Sequence, residues 1–183
     1  MASVTQRIKQ VSQPRGGYIK PKEFAVENFN DMVELNPEEN IHSSLVGLAV
    51  DYVTRYSMGT PLEEAFKISL MGAIIIDEVG YAQQLLNEIT GLDDKSLIKA
   101  CKLTGYDVCF RSSPMGYRAV QDIEPDSATL FNIRTMVNRS MAFMKEYGPV
   151  VKDGFTFEGG YTETVTTGDG DFLTSDTLWD FKV

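Results

Sequence analysis

The chain has 183 residues, 43% of them apolar and 23% charged, enough material for one domain with a buried core, which excludes disorder as the default state. Its formal net charge of −9 argues against loose, sequence-independent adhesion to nucleic acid or anionic lipid. Cys101 and Cys109 match neither a CxxC metal or redox pair nor a disulfide framework, so reduced thiols in a cytoplasmic protein are expected.

The charge is unevenly distributed. Arg7, Lys9, Arg15, Lys20 and Lys22 fall between Met1 and Lys22 with no acid among them, leaving −14 for the remainder. A basic arm therefore precedes an acidic body. Such an arm suits contact with phosphates, although a solvated terminus has the same composition. The opening MASVTQRIKQ has no apolar leader segment, and the longest apolar run, Leu70 to Ile76, is too short to span a bilayer. Neither secretion nor membrane insertion is expected.

After the arm, QPRGGYIKPKEF is rich in proline and glycine and predicts an extended lead-in ending near residue 36. Asn36, with Pro37, Glu38 and Glu39 behind it, predicts a helix start, and Leu45, Leu48, Ala49, Tyr52, Val53 and Tyr56 form a stripe to about Ser57. Thr60 and Pro61 predict the cap of a second helix through Ile76, apolar on most sides as a central core helix would be. Shorter helices are expected at Tyr81 to Thr90 and Asp94 to Thr104, and RSSPMGY, Arg111 to Tyr117, reads as a loop. A long last helix follows from EPDSATL to Gly148-Pro149, its methionine-rich face assigned to packing.

From Gly154 the period changes to that of strands. FTFEGGYTETVTT alternates and predicts one strand, bulged at Gly159-Gly160; GDGDFLT and TLWDFKV predict two more, joined through Ser175-Asp176. The expected class is α+β: an arm and lead-in over 1–36, a helical portion over 37–149, and a three-stranded antiparallel meander over 150–183.

If the last hairpin turns at Ser175-Asp176, opposed residues have numbers summing to 351: Leu173 faces Leu178, Phe172 faces Trp179 and Asp171 faces Asp180. Lys182 then shares a face with Asp180, while Phe172, Trp179 and Phe181 take the other. Like charges placed opposite each other destabilise a sheet, and a divalent cation offsets that repulsion. An ammonium beside such a cation can orient water and offset charge growing on a phosphoryl group.

Asp171 followed by Asp180-Phe181-Lys182 at the end of the next strand resembles the signature of the PD-(D/E)xK, or restriction-endonuclease-like, nucleases, with Gly170 where the name has proline. The glycine-led strand before an apolar DxK strand is similar to the RecB-type exonuclease branch. The resemblance implies that Asp171 and Asp180 bind Mg²⁺ or Mn²⁺, that Lys182 is the catalytic lysine and that DNA is the substrate, in DNA processing, defence or phage recombination. It also implies an αβββαβ core. That core is C-terminally incomplete here, so a longer chain, a homo-oligomer or a partner chain would complete the sheet. Asp51, in GLAVD, and Glu158 are weaker candidates for a further metal ligand. Asp51 reads first as a polar position on an amphipathic helix, and His42 as a surface residue after a helix start. Arg111 and Arg118 flank a loop that suits phosphate contact or plain solvation. The alternative reading is a non-catalytic acidic interaction protein, either a nucleic-acid mimic or a scaffold.

Overall fold

The computed structural model describes residues 2–12, 31–158 and 165–179. Among these the chain divides into two units: a helical one over 33–149, and a second in which the N-terminal residues join the strands after residue 150. The mixture of helices with a small antiparallel sheet agrees with the α+β expectation at that coarse level.

In the helical unit, α1 of the chain being elsewhere, the first helix is α2 (Ser43–Ser57). It begins later than Asn36 because the asparagines upstream are engaged elsewhere. The Asn36 backbone amide donates to Asn132 Oδ1 at 2.8 Å, and the Asn40 side-chain amide donates to the Glu124 carbonyl at 2.8 Å. The cap falls instead to His42, whose Nδ1 accepts from the Ser44 amide at 3.2 Å. Hydrogen bonds to distant residues thus override a good local capping sequence.

The single helix expected from Thr60 to Ile76 is two, α3 (Leu62–Ala65) and α4 (Lys67–Ile75), interrupted at Phe66, whose φ of −101° and ψ of 20° are not helical. Phe66 is fully buried and sets its ring edge-on to Tyr52, centroids 5.3 Å apart. Nor is α4 the central core helix. Its inward face consists of Ser69, Gly72 and Ala73, while Ile74 is 62% and Ile75 49% exposed. The reason is a close backbone approach: a Cβ on Gly72 would lie 2.0 Å from the Tyr106 carbonyl oxygen. Only a small-residue face fits there, so the large apolar residues are turned outward.

Helices α5 (Val79–Asn87) and α6 (Asp94–Thr104) lie close to their expected places. A short α7 (Asp107–Arg111) was not expected; single 3₁₀ turns at Pro114–Gly116 and Val120–Asp122 occupy the segment that follows. The last helix, α8 (Ser127–Tyr147), starts where Asp126 accepts from the Thr129 amide at 2.8 Å and stops at Gly148. Met136 and Met144 are buried, so the methionine face packs as expected. Tyr52, Phe66, Leu85, Leu97, Leu103 and Ile133 are among the fully buried core residues. Among the described residues no helix is long and apolar enough to cross a membrane.

In the second unit, β2 (Lys152–Glu158), β3 (Val165–Leu173) and β4 (Leu178–Trp179) form an antiparallel meander with β3 in the middle. The long first strand of the sequence reading is instead divided: β2 stops at Glu158, the chain reverses, and Val165–Thr167 open β3, with Glu158 registered on Thr167. The expected bulge at Gly159-Gly160 lies outside the described residues. Alternation alone cannot reveal a reversal, because both halves of the divided strand keep the same period. Finally, β1 (Ala2–Ser3) pairs in parallel with β3 at Val165 and Thr167 and leads into α1 (Val4–Gln10).

Candidate functional site

Two places concentrate polar chemistry, one in each unit. In the sheet unit, the β3–β4 hairpin turns where the sequence predicts. The Thr174 amide donates to the Thr177 carbonyl at 2.9 Å, closing the loop around Ser175-Asp176. Phe172 is registered on Trp179 and Leu173 on Leu178, pairs that satisfy the sum of 351. Phe172 is 1% exposed and Thr174 is also buried, whereas Asp171 and Leu173, alternating with them, are partly exposed. One face of this hairpin is covered and Asp171 belongs to the other. On its other side β3 is registered on β2 through Asp153 with Phe172 and Phe155 with Gly170. Gly154, at φ 47°, thus falls across from Asp171 and presents no side chain to it.

Of the three residues assigned to catalysis by resemblance, Asp171 is described, and Asp180 and Lys182 lie outside the described residues. Glu158 ends β2. Asp51 is in the helical unit on α2, its Oδ1 3.6 Å from Arg55 Nε one helical turn on, the amphipathic-helix role weighed for it above. Among the described residues no group of three or more histidine, cysteine, aspartate or glutamate side chains is placed to hold a metal ion.

No family model, curated protein or solved structure matches the chain.

In the helical unit, Asp107 is 2% exposed and is satisfied on both carboxylate oxygens. Ser69 Oγ donates to Oδ1 at 2.5 Å, and Oδ2 accepts from the Tyr52 hydroxyl at 2.5 Å and from Arg111 Nε at 3.1 Å. Arg111 Nη2 also donates to the Tyr52 hydroxyl at 3.1 Å. Burial, aided by the adjacent carboxylate, pushes the Tyr52 phenol far above its usual range. Burial works against the Arg111 cation, yet Tyr52 and Asp107 outweigh it and hold the guanidinium above its ordinary value. Helices α2, α4 and α7 are tied together by this group, and three hydrogen bonds to one carboxylate leave it poorly placed to take a proton from a substrate. It reads as a clamp. Arg111, a candidate phosphate contact, bonds to Asp107 and Tyr52 while its side chain stays about half exposed; Arg118 is exposed, and His42 caps α2. The sequence does contain a signal for part of the clamp, since Asp107 and Arg111 are four apart; nothing local announces Tyr52 or Ser69.

A second carboxylate, Glu78, accepts through Oε2 from the hydroxyls of Tyr106 at 2.7 Å and Tyr117 at 2.8 Å. The two rings stack with centroids 5.8 Å apart. Burial first, and the Glu78 hydrogen bond second, raise both phenols, Tyr117 to about 12. Burial likewise lifts the Cys101 thiol to about 12 and raises that of Cys109, which removes the nucleophilic thiolate at neutral pH.

Proposed function

We propose that the β3–β4 hairpin carries a phosphodiester-hydrolysing site of the PD-(D/E)xK type, with DNA as substrate and Mg²⁺ or Mn²⁺ as cofactor. The supporting observation is the register. Phe172 on Trp179 and Leu173 on Leu178 leave Asp171 and Asp180 as the next pair of the same sum. Directly opposed residues on neighbouring strands have Cβ atoms about 4.5–5.5 Å apart, a separation at which two carboxylates repel unless a cation joins them. Two carboxylates also make a suitable donor set for magnesium, which takes hard oxygen ligands and keeps several waters. Asp171 lies on the partly exposed face of β3, the side from which a phosphate would approach.

In this reading Asp171 and Asp180 would hold the ion. When bound, it would supply acidification of water and neutralisation of charge on the phosphoryl group. Lys182 would orient the attacking water and accompany the negative charge that develops on the non-bridging oxygens. Phe172, buried on the opposite face, keeps the strand from rotating.

Linear and circular DNA incubated with Mg²⁺ or Mn²⁺ will test this, comparing the unaltered chain with Asp171→Ala, Asp180→Ala and Lys182→Ala. Cleavage should fall by about 10²-fold or more in each variant. Equal cleavage by all four proteins, or none by any, would overturn the assignment.

A scaffold function is the second reading, and one observation favours it: Met71, Ile74, Ile75 and Val79 are all exposed along α4 and the start of α5. Apolar side chains grouped in this way mark association surfaces more often than isolated ones do. Ile74→Lys combined with Ile75→Lys should abolish any concentration-dependent increase in mass seen by sedimentation, and persistence of that increase would exclude this face.

A further inference from the structure

The edge of β3 that β2 leaves free is shared by two strands. β1 pairs at Val165 and Thr167, and β4 pairs at Phe172 and Leu173. β1 runs parallel to β3 and β4 antiparallel to it, so both chains head along that edge toward Gly168–Asp171. α1 begins at the residue after β1 and packs against β3. The topology therefore brings the acid-free N-terminal segment to the strand that carries Asp171, a juxtaposition that 162 residues of intervening sequence conceal.

Arg7 and Lys9 on α1 are exposed. Arg7 donates to Gln10 Oε1 at 3.2 Å within its own helix, and among the described residues neither Arg7 nor Lys9 forms an ion pair. Cations without an acidic partner among the described residues, on a helix packed against the strand that carries Asp171, are available to a polyanion. They also address the main electrostatic objection to a DNA substrate, which is that the rest of the chain carries −14 and repels phosphate at a distance.

We propose that α1 is the phosphate-backbone contact of this protein: Arg7 and Lys9 hold a DNA strand by its phosphates alongside β3. The contact is independent of base sequence, because neither side chain needs a base edge to pair with a phosphate. The proposal rests on the reading of the hairpin as a DNA-hydrolysing site, and the test separates the two.

Binding of a fluorescein-labelled DNA duplex, and of one of its strands alone, is measured by anisotropy in EDTA across a salt series. The proteins compared are the unaltered chain, Arg7→Gln with Lys9→Gln, Arg7→Lys with Lys9→Arg, and Asp171→Asn. The neutral double variant should bind about ten-fold or more weakly at low salt, and its log–log salt slope on duplex should be shallower by about 1.8, two phosphate contacts at about 0.9 each. The charge-keeping double variant should bind like the unaltered chain, and Asp171→Asn, which removes a negative charge from that strand, should bind at least as tightly. Circular dichroism identical among the variants excludes unfolding as the cause, and a neutral variant that loses its helical signal is replaced by Lys9→Gln alone, expected to lower the slope by about 0.9. Neutral-variant affinity and slope equal to those of the unaltered chain would overturn the α1 contact, even with cleavage intact. Absence of DNA binding by the unaltered chain would overturn it too. Binding that depends on Arg7 and Lys9 without metal-dependent cleavage supports the contact and sinks the hydrolytic site alone.

Discussion

Asp107 is the residue whose environment is most completely specified. A buried carboxylate is costly unless its partners compensate it, and here two hydroxyls and a guanidinium do so. Asp107→Ala removes the acceptor and strands the buried hydroxyls of Tyr52 and Ser69, while the half-exposed Arg111 turns to water; a loss of about 1–3 kcal/mol for each stranded hydroxyl is expected by urea unfolding. Tyr52→Phe deletes one hydroxyl and leaves the other donors in place, so its cost should be about 1–2 kcal/mol. At the helix starts, hydrogen bonds from Ser96 to Asp93 and from the Thr129 amide to Asp126 hold both carboxyls below their usual range. A depressed folded-state pKa stabilises above the ordinary carboxylate value and is lost as pH falls through the folded one. Asparagine still caps but does not titrate. The melting temperature of Asp93→Asn with Asp126→Asn should therefore fall less steeply than that of the unaltered chain once pH drops below about 4. At the thiols, the raised pKa values and burial of Cys101 and Cys109 predict that neither reacts with a thiol reagent at neutral pH until denaturant is added, when both should react.

Between elements, α4 and α7 approach through Gly72 and the Tyr106 carbonyl. Gly72→Ala places a methyl within 2.0 Å of a backbone oxygen, a clash that side-chain rotation cannot relieve, and should destabilise by at least about 1–3 kcal/mol. Gly80, in α5, has nothing within 4 Å of the same ideal position; Gly80→Ala should stabilise by about 0.4–1 kcal/mol through lower unfolded-chain entropy. Opposite signs for the same substitution, read by thermal melting, are the check. The glycine also explains what was legible in the sequence. Apolar periodicity discloses helix within 61–76, though not its break at Phe66, and that α5, α6 and α8 follow, because burial of a stripe is a local pattern. It could not disclose which side of α4 is inward, since that depends on a backbone contact with a residue more than thirty positions away. The start of α2 differs for a related reason: Asn36 looks like a cap locally but bonds to Asn132 on α8, and Asn40 bonds to the Glu124 carbonyl ahead of it. By contrast, the β3–β4 turn was legible to the residue, because the two-residue loop at Ser175-Asp176 sets its own register.

For the molecule as a whole, the helical unit holds the contiguous apolar core. Amide exchange should accordingly be slowest in α2, α6 and α8, and the short pairing of β1 should exchange faster by orders of magnitude; equal protection of β1 and those helices would contradict this. The acidic candidates divide along the same line. Asp171 was located by register arithmetic that the observed pairs satisfy, while Asp180 and Lys182 lie outside the described residues, so the catalytic assignment rests on the proposal and its test. What composition did not disclose was where the basic arm belongs. It reads as a preface to the chain, and the parallel pairing of Ala2 with Val165 and Ser3 with Thr167 joins its first residues to the sheet.

That pairing has a consequence for biosynthesis. β1 leaves the ribosome well before its partner β3 is made, so it waits unpaired while the whole helical unit is translated. Closing so long a loop is slow compared with the local contacts inside the helices.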